Sequence, residues 1–197
     1  MAAAFLVLAS PAAADDMAPT VARDEILRGK FSQERFLTGF RAPLHSEGTF
    51  VLAPERGLIW RVASPFPTVT VITPAGLVQK SDGTEPVRLS ASRAPQFAVL
   101  YGLLDKTLRG DWQALRARYD VRIGRDAGTW QVDLKPRDAA GPAATFEAAT
   151  VTGGRFAETV ALHRPGGDVD RLRFTAQTLS SGPLLPEESS LFAAVPQ

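Results

Sequence analysis

The feature that most constrains the fold is a run of short apolar segments that Pro and Gly interrupt repeatedly. Between residues 31 and 80 such breaks come about every ten residues, at Pro54, Pro65, Pro67, Pro74 and Gly76. Short segments of this kind are typical of antiparallel strands joined by tight turns. The pattern predicts strands over 31–36, 48–53, 57–63, 68–73 and 76–80, and again over 119–123, 130–134, 145–152, 156–163 and 170–178. The sequence therefore predicts a mainly β chain.

One central segment has the spacing of a helix instead. Residues 95–109 are strongly apolar, with Phe97, Leu100 and Leu104 recurring on one side and Leu103 widening that side. Pro95 near its start and Gly110 just after it are the residues expected at the two ends of a helix. The sequence predicts a helix over 95–109, followed by a short turn at 112–115.

Two further helical segments are predicted near the ends of the chain. Residues 19–30 predict a short helix, since Thr20 or Asp16 can cap it and its acidic residues precede its basic ones. Leu191 and Phe192 can dock on the sheet as a last helical turn.

The predicted strands carry an apolar face that needs a cover. Leu58, Trp60 and Val62 share one face of their strand, because successive side chains point to opposite faces. The helix at 95–109 is the expected cover. Seven large apolar residues are predicted to lie beneath it, and they either pack as core or line a cavity: Phe50, Leu52, Leu58, Trp60, Val62, Val69 and Val71.

Charge and composition exclude several classes of function. The 22 Lys and Arg residues nearly balance the 21 Asp and Glu residues, whereas a nucleic-acid-binding protein needs a clustered basic surface. The chain has no Cys, which excludes disulfides, thiolate metal sites and a cysteine nucleophile. With only two His residues, a histidine-rich metal site is not expected either, and no cofactor is implied.

Sequence motifs of enzymes are also missing. There is no Gly-x-Ser-x-Gly nucleophile turn and no Gly-Lys-Ser/Thr phosphate loop. An enzyme that acts on acyl groups would depend on His45 or His163, the only histidine bases, and both lie in contexts typical of ordinary surface residues. We expect a protein that is not an enzyme.

The N-terminus resembles an export signal. Residues 1–14 are apolar and end in small residues at Ala12 and Ala14, as before a signal-peptide cleavage site, although the usual basic start is missing. The alternative is a flexible apolar N-terminus. We expect one domain over 15–197 in the periplasm or outside the cell, and no other segment approaches the roughly 20 apolar residues that span a bilayer.

Several short motifs together resemble a known family. Phe31-x-Gln33 is followed by Gly48-Thr49-Phe50 and, after a turn that contains Pro, by Leu58-Ile59-Trp60, Pro65 and Gly76. This order and spacing are similar to those of the periplasmic outer membrane lipoprotein carrier (LolA) family. The likeness extends from about residue 19 to about residue 185 and is strongest between Phe31 and Gly76.

The resemblance implies a fold and a function. The fold is an incomplete antiparallel β-barrel closed by helices that act as a plug or lid. The function is to bind acyl chains of lipoproteins, or another lipid-linked cargo, in an apolar cavity. By position Trp60 and Val62 match the cavity and the helix at 95–109 matches the lid, with Phe97, Leu100, Leu103 and Leu104 as its lid residues.

The resemblance also implies partners and a location. A monomer in the periplasm of a Gram-negative bacterium would receive cargo from an inner-membrane donor complex and deliver it to an outer-membrane acceptor. The alternative on the same scaffold is a periplasmic lipid-sensing regulatory module. One departure concerns the family arginine that holds the lid shut, because Pro54 stands at its position. Arg56, two residues on, is the nearest substitute for the lid contact, but its side chain is expected to point elsewhere.

Overall fold

In the part of the chain that the structure describes, the architecture is a long antiparallel sheet with three helices. A computed structural model describes residues 21–91, 93, 95–126, 128–138 and 146–195 of the chain, so the predicted signal segment 1–14 lies outside the described residues. The strands are β1 (Glu25–Phe36), β2 (Leu44–Ala53), β3 (Gly57–Ser64), β4 (Thr68–Thr73), β5 (Gly76–Ser81), β6 (Val87–Ser90), β7 (Tyr119–Asp126), β8 (Thr129–Pro136), β9 (Ala148–Gly153), β10 (Ala157–His163) and β11 (Val169–Ser181). The helices are α1 (Pro95–Arg109), α2 (Trp112–Leu115) and α3 (Pro186–Ala193).

The sheet is open. Its strand order is β6-β5-β4-β3-β2-β1-β11-β10-β9-β8-β7, and every neighbouring pair is antiparallel. Strands β6 and β7 form the two edges and do not pair with each other, so the sheet is not closed into a barrel. The predicted fold class, mainly β with a few helices in an incomplete antiparallel barrel, is confirmed.

The predicted helix at 19–30 is wrong over the residues that the structure describes. Residues 25–30 begin β1, which pairs with β2 on one side and with β11 on the other. Ile26 and Leu27 are both buried, but in separate apolar layers on opposite faces of the sheet. A strand places consecutive side chains on opposite faces, and a surface helix with one buried stripe does not.

Most other predicted elements are confirmed with small shifts. The helix at 95–109 and the strand at 68–73 have the predicted bounds, and the turn at 112–115 is α2. The sequence pattern did not predict the edge strand β6. It is only four residues long and pairs through its backbone with β5, so it leaves little apolar pattern in the sequence.

The two faces of the sheet carry separate apolar layers. We call the face covered by α1 and α2 the inner face. Its buried layer includes Leu27, Phe31, Phe50, Leu52, Leu58, Ile72, Leu77, Val132, Leu134, Val151, Val160, Leu162, Leu172 and Phe174, with Leu103, Leu108, Trp112 and Leu115 from the two helices. We call the opposite face, which α3 covers, the outer face. Its smaller layer consists of Ile26, Val51, Ala53, Ile59, Val71, Val78, Leu184, Phe192 and Val195.

An ion pair between the partly exposed Arg28 and the buried Glu188 fixes α3 to the outer face. The Arg28 guanidinium donates through Nε to one Glu188 carboxylate oxygen at 2.8 Å and through Nη2 to the other at 2.7 Å. The Leu185 backbone N–H donates to the same carboxylate at 2.9 Å, which caps the start of the helix. Two parallel charge-assisted bonds of this kind fix geometry as well as adding stability. The predicted docking of Leu191 and Phe192 is confirmed as the C-terminal part of α3.

Glu188→Gln should destabilise the protein by roughly 1–3 kcal/mol at pH 7, because the change removes the negative charge from a partly buried pair. The hydrogen bond from Arg28 holds the pKa of Glu188 below its usual 4.5, helped by the Leu185 N–H and opposed by burial. A lowered folded-state pKa stabilises fully above the unfolded value and loses that contribution as the pH falls through the folded-state pKa. Urea unfolding between pH 7 and pH 3 measures this loss.

The neighbouring Glu187 provides the control for this prediction. Its side chain is 72% exposed and lies 3.9 Å from Arg61. An exposed pair contributes little, so Glu187→Gln should change the free energy of unfolding by less than about 1 kcal/mol. Equal effects of the two substitutions, or an unchanged acid dependence in Glu188→Gln, would show that the ion pair does not fix α3.

Candidate functional site

Four aromatic rings form the centre of the inner face. Phe31 stacks on Trp60 with 3.7 Å between ring centroids. Phe174 meets Phe50 and Trp60 edge-on at 5.4 and 6.2 Å. These rings come from β1, β2, β3 and β11, which are neighbours in the sheet. The sheet therefore gathers residues far apart in sequence into one aromatic layer.

Gly48 makes this stacking possible. The strand register places it opposite Phe31 on β1 and opposite Val62 on β3. A Cβ added at Gly48 would lie 3.0 Å from the Phe31 ring and would also collide with the backbone carbonyl oxygen of Arg61. Because Gly48 has no side chain, the Phe31 ring can lie against Trp60.

Five of the seven predicted cavity residues lie together on the inner face. Phe50, Leu52 and Leu58 are at most 1% exposed, and Trp60 and Val62 are half-buried and pack against them. The first three are surrounded by packed side chains, where the family resemblance implied an apolar cavity. Acyl chains can therefore reach these residues only if their cover moves.

The other two predicted residues, Val69 and Val71, lie on the opposite face. Val71 pairs with Ile59 and is buried in the outer layer, and Val69 packs against that layer. Placing them with Trp60 was wrong, because the β3–β4 turn sets the register so that Thr70 stands beside Trp60. Thr70 and Ile72 are the inner-face residues of β4 that sequence reasoning missed.

Helix α1 supplies the cover. Leu103 is 5% exposed within the inner layer, and Leu104 is half-buried against it. The side chains of Phe97 and Leu100, the other two predicted lid residues, lie outside the described residues. The position of the helix agrees with the predicted lid.

The cover also carries buried polar groups. Asp105 is 3% exposed, and its Oδ2 accepts a hydrogen bond from the Lys106 ammonium at 2.8 Å. Tyr101, one turn earlier in α1, is also buried, and this burial raises the pKa of its hydroxyl well above the ordinary value. Asp105 Oδ1, Trp112 Nε1 and Tyr119 OH are among the buried polar atoms that have no hydrogen-bond partner in the described part of the chain. Buried polar groups without partners disfavour the packing that buries them.

Arg56, the predicted substitute for the family arginine, makes its described contact elsewhere. It follows Pro54 and Glu55 in the turn between β2 and β3, and Glu55 has a positive φ of 65°. The Arg56 guanidinium lies 5.8 Å from the centre of the Phe192 ring in α3. The described contact of Arg56 is thus to the outer helix, and its contact to the α1 lid stays a prediction.

The two histidines stand apart from the inner layer. His45 is exposed on β2, where its Nδ1 lies 3.7 Å from Glu34, and His163 is exposed at the end of β10. An open cavity of about 620 Å³ near His45 is lined also by Glu34, Arg171 and Arg173. Among the described residues, no three His, Asp or Glu side chains come together in a way that could hold a metal ion.

Comparison with known proteins shows what this chain is similar to. Residues 9–172 match the family described as outer membrane lipoprotein carrier protein LolA-like. No curated protein matches the sequence. In the described part of the chain, no helix has both the length and the apolar character needed to cross a membrane.

The solved structures that match this protein have low sequence identity to it. A LolA superfamily protein from Nitrosomonas europaea is 11% identical with a TM-score of 0.47, and the match covers 86% of this chain and 91% of that one. The MucA/MucB complex of Pseudomonas aeruginosa gives 18% identity and a TM-score of 0.37, covering 84% of this chain and 55% of that one. A protein domain from Vibrio parahaemolyticus, described as an outer membrane lipoprotein-sorting protein, is 7% identical with a TM-score of 0.42. The match covers 87% of this chain and 92% of that one.

Proposed function

The chain belongs to the family of outer membrane lipoprotein carrier protein LolA-like proteins, and on that premise we propose that it is a periplasmic carrier of acyl chains. In this proposal it binds the acyl chains of a lipoprotein, or of another lipid-linked cargo, between α1 and the inner face. It then moves them from the inner toward the outer membrane. The observation that carries the proposal is the aromatic and aliphatic layer centred on Trp60, which α1 covers.

The energetics of an acyl chain explain why such a layer can serve a carrier. Burying each methylene stabilises by about 0.8 kcal/mol, so a lipid anchor in water gains strongly from any apolar surface that receives it. The inner face offers that surface only after α1 has moved, since Phe50, Leu52 and Leu58 are already buried. Moving α1 exposes the apolar layer to water, and this cost offsets part of the free energy gained by burying the acyl chain. The cargo is therefore bound weakly enough to be released.

The polar groups near the cover support its displacement. Asp105 Oδ1 and Trp112 Nε1 are buried without hydrogen-bond partners among the described residues. Each such atom costs about 1–3 kcal/mol, which is recovered when water reaches it. The closed packing is thus less favourable than a wholly apolar contact of the same size, and α1 can separate from the sheet at a lower cost.

The proposed role includes no catalytic step. His45 and His163 are exposed, and neither belongs to the inner layer. We expect the double substitution of both residues by Gln to leave binding of an acyl probe unchanged within about twofold, which is under ~0.5 kcal/mol. A hydrolytic activity on acyl esters that disappears in this variant would contradict the proposal and favour an enzyme.

The proposed partners follow from the direction of transport. They are a donor complex at the inner membrane and an acceptor at the outer membrane, and the carrier acts as a monomer. Capture of a membrane signalling protein in place of lipid would favour the regulatory module considered above.

Gentle purification from the native compartment tests the proposed function. Lipids extracted from the purified chain should be identified by mass spectrometry. They should include acylated species, and the molar ratio of lipid to protein should be substantial. After delipidation the chain should bind a fluorescent fatty acid. The absence of lipid together with failure to bind the fluorescent fatty acid would overturn the proposal.

A further inference from the structure

A β-bulge in β11 turns one glutamine toward the inner face. The register between β1 and β11 shifts there, so that β11 has one residue more than β1, and Ala176 in the bulge has a positive φ of 50°. Phe174 before the bulge and Leu179 after it both pack with the inner layer. They are five positions apart, and strict alternation would place them on opposite faces. Gln177, two residues before Leu179, therefore lies on the inner face as well.

Two neighbours fix the position of the Gln177 side chain. Its Nε2 donates a hydrogen bond at 2.8 Å to the backbone carbonyl of Ala157, at the start of β10. Gly29 leaves room for the side chain, because a Cβ added there would lie 3.1 Å from Gln177 Cγ and 2.6 Å from the Phe50 ring. Since Phe50 meets Phe174 edge-on at 5.4 Å, the Gln177 side chain lies beside the aromatic layer of the candidate site.

The other end of the same amide is a buried acceptor. Gln177 Oε1 has no hydrogen-bond partner in the part of the chain that the structure describes. Turning the amide over would set Oε1 against the Ala157 carbonyl, acceptor against acceptor, so the hydrogen bond of Nε2 fixes the orientation. A buried acceptor without a partner is unfavourable, and a molecule that brings a donor to it gains affinity.

We propose that Gln177 Oε1 accepts a hydrogen bond from the cargo and thereby selects acyl chains that carry a hydrogen-bond donor. The N–H of an amide-linked acyl chain and the hydroxyl of a hydroxylated acyl chain both supply such a donor. An unsubstituted chain in ester linkage has none, and it would leave the acceptor buried without a partner. This selectivity rests on the proposed carriage of acyl chains, and it names the class of cargo.

Three probes of equal chain length test the selectivity of the full-length protein. They are the methyl ester of a fatty acid, its N-methyl amide, and the methyl ester of the corresponding 3-hydroxy acid. Displacement of a fluorescent fatty acid gives the dissociation constant of each probe. At least one of the two donor-bearing probes should bind about tenfold more tightly than the plain ester. The probe that binds more tightly identifies whether an N–H or a hydroxyl is the donor.

Substitution of Gln177 should remove this preference. Gln177→Met has no acceptor, so the affinities of the three probes should agree within about twofold. Gln177→Lys keeps a donor for the Ala157 carbonyl but also lacks an acceptor, and it should lose the preference even if the Met variant does not fold. Gln33→Met is the matched control, because Gln33 is also half-buried on the inner face but its Oε1 accepts a hydrogen bond from the Ser46 hydroxyl at 3.5 Å. It should keep the preference.

Several results would overturn this selectivity and leave the proposed function standing. These are equal binding of the three probes by the unsubstituted protein, a preference that persists in the Gln177 variants, and its loss in Gln33→Met as well. If Gln177 only supports the fold, its substitution should weaken binding of all three probes by the same factor, which would also overturn the selectivity. Failure of every probe and of the fluorescent fatty acid to bind would instead overturn the proposed function, and the selectivity with it.

Discussion

Trp60→Arg should lower the affinity of the chain for a fluorescent fatty acid at least about tenfold. Trp60 stacks on Phe31 and meets Phe174 edge-on, so its loss removes the centre of the aromatic layer. The arginine also places a charge where the acyl chain would lie, and an acyl chain cannot solvate it. Fluorescence titration of the delipidated protein measures the change in dissociation constant.

Two variants on β4 separate this effect from a general loss of folding. Thr70 stands beside Trp60 on the inner face, and Val69 is the next residue and belongs to the outer face. Both residues are half-buried, so an arginine at either position can extend its charged end into solvent. The two substitutions should therefore cost a similar amount of stability. Thr70→Arg should weaken binding severalfold and Val69→Arg should leave it nearly unchanged. Equal weakening by the two would contradict the assignment of the inner face as the site.

Gly48→Ala should destabilise the protein by roughly 3–5 kcal/mol, a loss large enough to prevent folding of a marginally stable chain. The added Cβ would collide with the Arg61 carbonyl oxygen on the neighbouring strand and press on the Phe31 ring. Neither the backbone of β3 nor a ring packed against Trp60 can move aside cheaply. Thermal and urea unfolding of the purified variant measure the loss.

Gly124→Ala is the matched control for this prediction. Gly124 also lies within a strand, β7, but an added Cβ would meet nothing within 4 Å. Alanine has less conformational freedom to lose than glycine, so this variant should be as stable as the unsubstituted chain or more stable by up to about 1 kcal/mol. Similar stabilities of the two variants would show that β2 and β3 are not held in the close contact described here.

The elements marked by local sequence signals were predicted well. Pro95 and Gly110 bracket α1, and its predicted bounds are the observed ones. Pro and Gly likewise separate the strands between residues 48 and 81, which moved by no more than a few residues. The resemblance based on Phe31-x-Gln33 and Gly48 added the open antiparallel sheet, which the family match and the strand order agree with.

What the sequence did not predict depends on pairing between distant residues. The first half of β1 has helix-like charges, but it becomes a strand because β2 and β11 pair with it on both sides. Val69 and Val71 were placed on the wrong face, since both faces of β4 are apolar and only the turn to β3 fixes the register. The fixing of α3 by Arg28 and Glu188 joins residues 160 positions apart, which no local pattern reveals.

Photo-crosslinking with a fatty acid that carries a diazirine on its acyl chain tests the central claim most directly. After irradiation of the complex and digestion, mass spectrometry identifies the labelled peptides. We expect label on inner-face residues near Trp60, Phe50 and Phe174 and on α1, and none on the outer layer at Val71 and Val78. Label confined to the outer layer, or no label although the fatty acid binds, would contradict binding between α1 and the inner face.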